Sequence, residues 1–202
     1  MDRRTLAQAL MDCGCVRVGR YKLSSGGFSP YYIDLRRVPS FPQLFQRVVG
    51  AYLVLLRREG LEFERVLGVP TAGIPLGVMV AHELGKPFLY LRTETKGHGT
   101  ERLLEGELGK GERVLLVDDV ATTGGSLGKA VEAVRKEGGR VEAAAVLVDR
   151  EQGARELLER EGVRLFSVMT ARELLQELYT CGRITEQNYR EIVGYMEGKT
   201  HV

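Results

Sequence analysis

The residues with the most evident chemical potential lie in one run, positions 114–126, which reads Val-Leu-Leu-Val-Asp-Asp-Val-Ala-Thr-Thr-Gly-Gly-Ser. It combines an apolar strand, two adjacent carboxylates, a turn rich in hydroxyl groups and glycine, and the start of a helix. Gly124 and Gly125 allow the backbone to turn tightly against an anion, and the helix that follows directs its N-terminal amides at the same place. We therefore predict a monophosphate site in this turn.

The two carboxylates, Asp118 and Asp119, predict what the phosphate is attached to. Both acids lie where the strand is expected to end, next to the predicted phosphate site. Carboxylates repel a bare polyphosphate but accept hydrogen bonds from sugar hydroxyls. The run therefore favours a ribose that carries the phosphate.

Two other nucleotide-binding patterns are missing from the chain. It has no Gly-x-x-x-x-Gly-Lys-Ser/Thr, and the nearest fragment, Gly128-Lys129, has Thr123 in place of the first glycine and Ala130 after the lysine. There is also no Gly-x-Gly-x-x-Gly at the start of the predicted sheet. Nucleotide hydrolysis and hydride transfer therefore lose support.

The elements that must position this turn alternate between helix and strand. Predicted helices cover 4–15, 42–59, 74–84, a segment ending near 137, 151–160 and segments after 170, and predicted strands cover 16–23, 31–34, 65–69, 88–91, 114–117, 141–148 and 163–168. Such alternation indicates parallel βαβ units. We expect an α/β fold with a doubly wound parallel sheet. Residues 1–40 should form a small N-terminal lobe of the same domain, hooding the carboxyl ends of the strands of the core, 41–202.

Composition narrows the function classes further. The 29 basic and 27 acidic residues are spread along the whole length and give a net charge of only +2, so nothing indicates a nucleic-acid partner. Three cysteines form no complete disulfide framework, which favours reduced thiols in the cytoplasm. No apolar run has the length of a signal peptide or membrane span.

The run 114–126 resembles the signature with which type I phosphoribosyltransferases bind phosphoribosyl pyrophosphate (PRPP). The signature identifies the sugar donor and not the base, because purine, uracil and regulatory members share it. The resemblance implies that PRPP is bound by Asp118, Asp119, Val120, Ala121, Thr122, Thr123, Gly124, Gly125, Ser126, Arg92, Lys96, His98, Thr71, Ala72 and Gly73.

Three further segments are similar to the orotate branch of this family. Residues 24–36, Ser-Ser-Gly-Gly-Phe-Ser-Pro-Tyr-Tyr-Ile-Asp-Leu-Arg, resemble its N-terminal hood, and residues 92–99, Arg-Thr-Glu-Thr-Lys-Gly-His-Gly, resemble its mobile catalytic loop. Residues 149–153, Asp-Arg-Glu-Gln-Gly, place Arg150 where the family reads the carboxylate of orotate. A guanidinium fork matches a carboxylate, which uracil and purines lack.

The resemblance implies an orotate phosphoribosyltransferase acting in de novo pyrimidine biosynthesis. Its catalytic residues would be Arg92, Lys96, His98, Asp118 and Asp119, and its orotate-binding residues would be Arg150, Thr122, Ser25, Gly26, Tyr31 and Tyr32. Mg²⁺ is the expected cofactor, held by substrate and water rather than directly by the two acids. The family also implies a homodimer in which the mobile loop, 92–105, is shared across the interface.

The sequence departs from the family pattern at three positions. Many members have lysines where this chain has Ser24, Ala72 and Thr93. Some branches lack one or more of them, so the assignment stands. Without those lysines, the binding of pyrophosphate depends on Arg92, on Lys96 and on the backbone of 71–73, and Lys22 is a candidate to replace a missing lysine.

Two alternatives stay open at this point. One is a phosphoribosyltransferase for uracil or a purine, which would have no substrate carboxylate for Arg150 to pair. The other is a PRPP-sensing regulator of transcription that keeps the signature without catalysis. Lys96 and His98 argue against the regulator, as does the absence of a recognisable DNA-binding segment.

Overall fold

A computed structural model of the chain describes residues 2–22, 26–92 and 103–198. The chain divides into two compact units, one built from Met1–Val48 with Met169–Val202 and the other from Val49–Val168. Within the described residues, no helix is both long and apolar enough to cross a lipid bilayer. The predicted division into an N-terminal lobe, 1–40, and a core, 41–202, stays a prediction.

The second unit is built on a six-stranded sheet with the order β5-β4-β3-β6-β7-β8. Strand β3 is parallel to β4 and to β6, and β6 is parallel to β7, whereas the edge strand β5 runs antiparallel to β4. The strands are β3 (Arg65–Gly68), β4 (Phe88–Leu91), β5 (Leu104–Glu105), β6 (Arg113–Ala121), β7 (Arg140–Asp149) and β8 (Arg164–Thr170). The predicted α/β class with a largely parallel sheet is confirmed.

The helices of this region supply the apolar surfaces that cover the sheet. They are α2 (Pro42–Arg58), α3 (Gly73–Leu84), α4 (Gly125–Lys136) and α5 (Ala154–Arg160). Strands β6 and β7 are almost continuously apolar and buried, as expected for central strands of a parallel sheet. Helix α3 packs unusually close to β3, because a Cβ added to Gly77 would lie 2.9 Å from the Cα of Gly68. The residues that follow β3 and β6 are thereby held close together.

The first unit consists of a two-stranded sheet and helices from both ends of the chain. Its elements are α1 (Arg3–Asp12), β1 (Val16–Lys22), β2 (Phe28–Ile33), a 3₁₀ helix (Leu35–Ser40), α6 (Ala171–Thr180) and α7 (Glu186–Met196). Strands β1 and β2 are antiparallel. Helix α1 packs on α6, with an Arg3–Glu173 ion pair at 2.5 Å. Helix α6 begins with a capping box in which Thr170 and Glu173 bond each other's backbone amides, a strong signal for a helix start.

Several elements differ from the sequence prediction, among them α1, which ends at Asp12 and not at 15, and β2, which begins at Phe28 and not at 31. Strand β6 continues through Asp118 and Asp119 to Ala121, instead of ending before the acids. Helix α5 begins at Ala154 and not at 151, because Glu151 adopts a left-handed φ of 57° that no α-helix contains. Strand β5 lies within the segment predicted as a loop, and two residues are too short to show a pattern.

Candidate active site

The two adjacent acids are both held by their own backbone. The N–H of Asp119 donates to Oδ1 of Asp118 at 2.9 Å, and the N–H of Val120 donates to Oδ1 of Asp119 at 2.8 Å. Asp118 is only 6% exposed, whereas Asp119 is half-buried. The acids therefore have fixed positions and different environments, although they are neighbours in sequence.

The charge on this pair is limited by burial. Burial, and after it the nearby carboxylate of Asp119, raises the pKa of Asp118 well above its ordinary value of 3.8. A second full negative charge is therefore disfavoured at this position. A sugar hydroxyl suits such a pair better than a bare anion does, which agrees with the prediction of a ribose at this place.

A short loop from β3 to α3 is pressed against the same strand. It carries the predicted residues Thr71, Ala72 and Gly73, and the peptide bond between Pro70 and Thr71 is cis. A Cβ on Gly73 would lie 2.4 Å from the carbonyl oxygen of Val117 and 3.0 Å from Oδ1 of Asp118. Only glycine allows this approach, so the first turn of α3 reaches the buried acid.

The predicted phosphate turn connects β6 to α4. Gly124 has a φ of 84°, in the left-handed region, and precedes the first residue of α4. The backbone at Gly124 also approaches the next loop closely, since an added Cβ would lie 3.0 Å from the Cα of Ala154. In the described chain no side chain caps this end of α4, so the amides of its first turn point out of the helix without a capping partner. This is the geometry expected for an anion site.

The loop after β7 is joined to the phosphate turn by two main-chain hydrogen bonds. The N–H of Arg150 donates to the carbonyl of Ala121 at 2.9 Å, and the N–H of Ala154 donates to that of Thr122 at 3.1 Å. Arg150 is partly buried, including its Nε. The structure therefore brings the backbone of Arg150 next to the end of β6 and the phosphate turn, and its role in binding orotate stays a prediction.

Arg92 lies at the end of β4 and has a carboxylate partner. Its Nη1 donates to Oε1 of Glu105 at 3.2 Å, and its backbone N–H donates to the carbonyl of Leu103 at 2.9 Å. Its predicted companions Lys96 and His98 lie outside the described residues, as do Thr93, Ser24 and Ser25. Their predicted roles stay predictions.

The predicted hood residues belong to the first unit. Tyr31 is 1% exposed and packs edge-on against Tyr195, with 6.2 Å between the ring centres. Tyr32 is exposed, stacks on Tyr21 and accepts a hydrogen bond from Arg36 at 3.2 Å. Gly26 is exposed as well. Of the two tyrosines, Tyr32 is the accessible one, and a role for either in binding orotate stays a prediction.

One residue near the acids was missed by sequence reasoning. The hydroxyl of Tyr52, on α2, donates to the carbonyl oxygen of Asp118 at 2.5 Å and is buried. Burial, with a smaller contribution from the two acids, raises the pKa of Tyr52 well above 10.0. A tyrosine in an apolar helix shows no periodicity that distinguishes this hydrogen bond from ordinary core packing.

Comparison with known proteins adds a family to this geometry. Residues 43–173 match the model of the phosphoribosyl transferase domain. The orotate phosphoribosyltransferase of Sulfolobus acidocaldarius is 48% identical over 189 residues, covering 94% of this chain and 94% of that protein.

Solved structures agree with this similarity. The orotate phosphoribosyltransferase of Aeropyrum pernix superposes with a TM-score of 0.79 at 44% identity, covering 87% of this chain and 98% of that one. The Mycobacterium tuberculosis orotate phosphoribosyltransferase in complex with PRPP gives a TM-score of 0.69 at 33% identity, covering 86% of this chain and 99% of that one. Both structures cover nearly the whole of their own chains, so the similarity extends well beyond the phosphate turn.

Proposed function

We propose how this chain, which belongs to the orotate phosphoribosyltransferases, binds its two substrates through the loops of the second unit. The chain transfers the phosphoribosyl group of PRPP to orotate in pyrimidine biosynthesis. A ring nitrogen of orotate bonds to the anomeric carbon as pyrophosphate leaves, giving orotidine 5′-monophosphate. Such a displacement needs substrates in line and a stabilised leaving group, and no nucleophile from the protein.

The ribose 5-phosphate of PRPP is assigned to β6 and its turn. The first-turn amides of α4 and the hydroxyls of Thr122, Thr123 and Ser126 supply donors for the phosphate. Asp118 and Asp119 then accept hydrogen bonds from the ribose hydroxyls. The approach of Gly73 to Asp118 supports placing the pyrophosphate against the backbone of 71–73.

Orotate is assigned to Arg150. The observation that carries this assignment is the pair of main-chain hydrogen bonds between the loop after β7 and the phosphate turn, because they hold the backbone of Arg150 next to that turn. A planar fork of donors suits the carboxylate of orotate. Arg92, Lys96 and His98 are assigned to the pyrophosphate, whose departing charge they neutralise.

Mg²⁺ is proposed as the cofactor, in keeping with the general dependence of this family on that ion. The described residues contain no group of three or more His, Cys, Asp or Glu side chains that could hold a metal. Asp118 is buried and accepts a backbone hydrogen bond. These residues fit an ion that would be held mainly by pyrophosphate oxygens and water, with the half-buried Asp119 as the more accessible of the two carboxylates. When bound, the ion would offset negative charge on the leaving group.

The site assignment is tested by following orotate absorbance after PRPP and Mg²⁺ are added, with uracil and adenine as control bases. We expect PRPP-dependent loss of orotate and no reaction of the control bases. Reaction of uracil at a comparable rate would contradict the role of Arg150, because uracil has no carboxylate to pair.

We further propose that the enzyme is a cytoplasmic homodimer in which the loop 92–105 contributes to the partner's site. Cys13, Cys15 and Cys181 are free thiols, which suits a reducing compartment. Tyr90, which precedes that loop, and Leu103, near the end of it, are each 40% exposed although both are large and apolar. Exposed apolar side chains at this edge of the sheet support a protein contact there.

A further inference from the structure

The turn that carries Arg150 contains an unusual backbone conformation. Glu151 has a φ of 57°, and among the described residues it is the only one other than glycine with a positive φ. A side chain in this region is sterically disfavoured, and such a conformation persists only where surrounding contacts impose it. Glu151 directly follows the arginine assigned to the substrate carboxylate, so the contacts that hold it also determine where Arg150 begins.

One buried carboxylate supplies those contacts. Asp149, the last residue of β7, is 2% exposed. Its Oδ1 accepts the N–H of Glu151 at 2.9 Å, and its Oδ2 accepts Nη2 of Arg155 at 3.2 Å. Arg155 donates through Nη1 to the carbonyl of Leu165 at 2.9 Å, which ties the carboxylate to β8.

Arg150 is therefore fixed on both sides. Its own N–H is bound to the carbonyl of Ala121 in β6, and the next N–H is bound to Asp149. The side chain of Asp149 is engaged by both donors within the protein and is buried, so it is not available to contact a substrate.

We propose that Asp149 is a positioning residue for orotate, which holds the left-handed turn at Glu151 and thereby directs Arg150 at the substrate carboxylate. This rests on the proposed role of Arg150. Arg155 assists by holding Asp149 in the orientation that meets the turn. Because the side chain of Asp149 bonds the turn that carries Arg150, whereas the phosphate donors belong to the turn between β6 and α4, the effect of Asp149 should fall on orotate and not on PRPP.

The test is Asp149→Asn, which keeps the side-chain volume but leaves one acceptor oxygen for two donors. We expect the KM for orotate to rise by about fivefold or more while the KM for PRPP stays within about twofold. Adding Glu151→Gly should restore much of the orotate KM, since glycine adopts a positive φ without steric cost and needs no buried carboxylate to hold it. Equal changes in both KM values, or no recovery with glycine, would overturn the proposal.

Glu112→Gln is the matched control. Glu112 also pairs with an arginine, Arg65, and also accepts a backbone amide, that of Gly109, but it precedes β6 at the opposite end of that strand. The variant weakens an ion pair and a backbone hydrogen bond of the same kind at a more exposed position, so we expect a smaller loss of thermal stability with both KM values unchanged. A rise in the orotate KM of this variant would show that any lost ion pair has the effect.

Hydrogen exchange gives a readout that does not depend on activity. In Asp149→Asn the amide of Glu151 should exchange faster, while the amide of Val117 within β6 keeps its protection. Unchanged exchange at Glu151 together with a raised orotate KM would refute a role through the turn. Failure of the Arg150 assignment is recognised separately, because Arg150→Ala would then not be selective for orotate.

Discussion

Among single residues, the two adjacent acids show how burial separates side chains with the same chemistry. Asp118 is enclosed by the strand and by the close approach of Gly73, whereas Asp119 is half-buried. The raised pKa of Asp118 means that its charged form is disfavoured in the folded state. Hydrogen bonds from a ribose would offset part of that cost, so bound PRPP should stabilise the folded chain.

Asp118→Asn should therefore change the pH dependence of stability. A carboxyl with a higher pKa in the folded than in the unfolded state binds more protons when folded, so the protein loses stability as pH rises from 3.8 through the folded value. The asparagine variant lacks this loss. In thermal unfolding from about pH 4 to about pH 8, the midpoint of the wild type should fall relative to that of the variant. A difference independent of pH would contradict the raised pKa of the buried Asp118.

Arg150 carries the second prediction for a single residue. Arg150→Ala should reduce kcat/KM for orotate by on the order of 2 kcal/mol, or about 30-fold, mostly through KM, because a carboxylate loses a charged two-point partner. The PRPP KM should change far less. Arg150→Lys is the control, because it keeps the positive charge without the fork of donors. Its kcat/KM for orotate should lie between that of the wild type and that of Arg150→Ala. Equal effects on both substrates would exclude the role.

Residues of the site that are contiguous in sequence were predictable, and those that depend on distant contacts were not. The acids and the turn 118–126 lie on one strand, one turn and one helix start, so local chemistry was sufficient to find them. Tyr52 acts through a hydrogen bond to a residue 66 positions away, and Asp149 acts through a left-handed turn that the sequence pattern does not show. The Arg92–Glu105 ion pair also became visible only in the structure, because β5 brings the two residues together.

For the elements, close packing of backbone on backbone organises the site. Gly68, Gly73 and Gly77 lie where α3 meets β3 and β6, and an added Cβ at each would come within 3.0 Å of main-chain atoms. These atoms cannot move without shifting a strand or a helix. The elements beside Asp118 and Asp119 can therefore pack this closely only because glycine has no side chain at these three positions.

Gly73→Ala tests this packing. The new methyl group meets the carbonyl of Val117, so unfolding by urea should show a loss of about 1–3 kcal/mol, and the PRPP KM should rise as the loop 71–73 is displaced. Gly50→Ala, in α2, is the matched control, because an added Cβ there has no neighbour within 4 Å among the described residues. Alanine should stabilise that helix by about 0.5–1 kcal/mol and leave KM unchanged. Similar results for both variants would refute the argument.

The element prediction succeeded where a pattern was long and failed where it was short or interrupted. Apolar runs such as 141–148 indicated buried parallel strands, which β7 confirms. The predicted end of β6 was wrong, because two adjacent acids interrupt the apolar pattern although the pairing with β7 continues through Val120 and Ala121. The hydrophobic pattern of a sequence indicates which residues are buried, whereas a strand is defined by the hydrogen bonds of its backbone.

In the whole molecule, the chemistry is divided among segments far apart in sequence. The acids, the phosphate turn and Arg150 lie in one unit, and the predicted hood residues Tyr31 and Tyr32 lie in the other. The proposed dimer would add a loop from a second chain. Tyr90 and Leu103 leave apolar surface beside that loop, which a partner subunit would cover.

Heterodimers of two impaired variants, assayed at an orotate concentration well below the KM of Arg150→Ala, test whether the loop is shared. Consider a dimer of one Lys96→Ala subunit and one Arg150→Ala subunit. If each loop enters the partner's site, the altered loop enters the site that also lacks Arg150, so one site has both defects and the other has none. Purified heterodimers should then recover about half of the wild-type turnover. The control pairs Lys96→Ala with Arg92→Ala; both defects then lie in loops, each site keeps one, and activity should stay low. If the first heterodimer is as inactive as the second, each loop serves its own subunit.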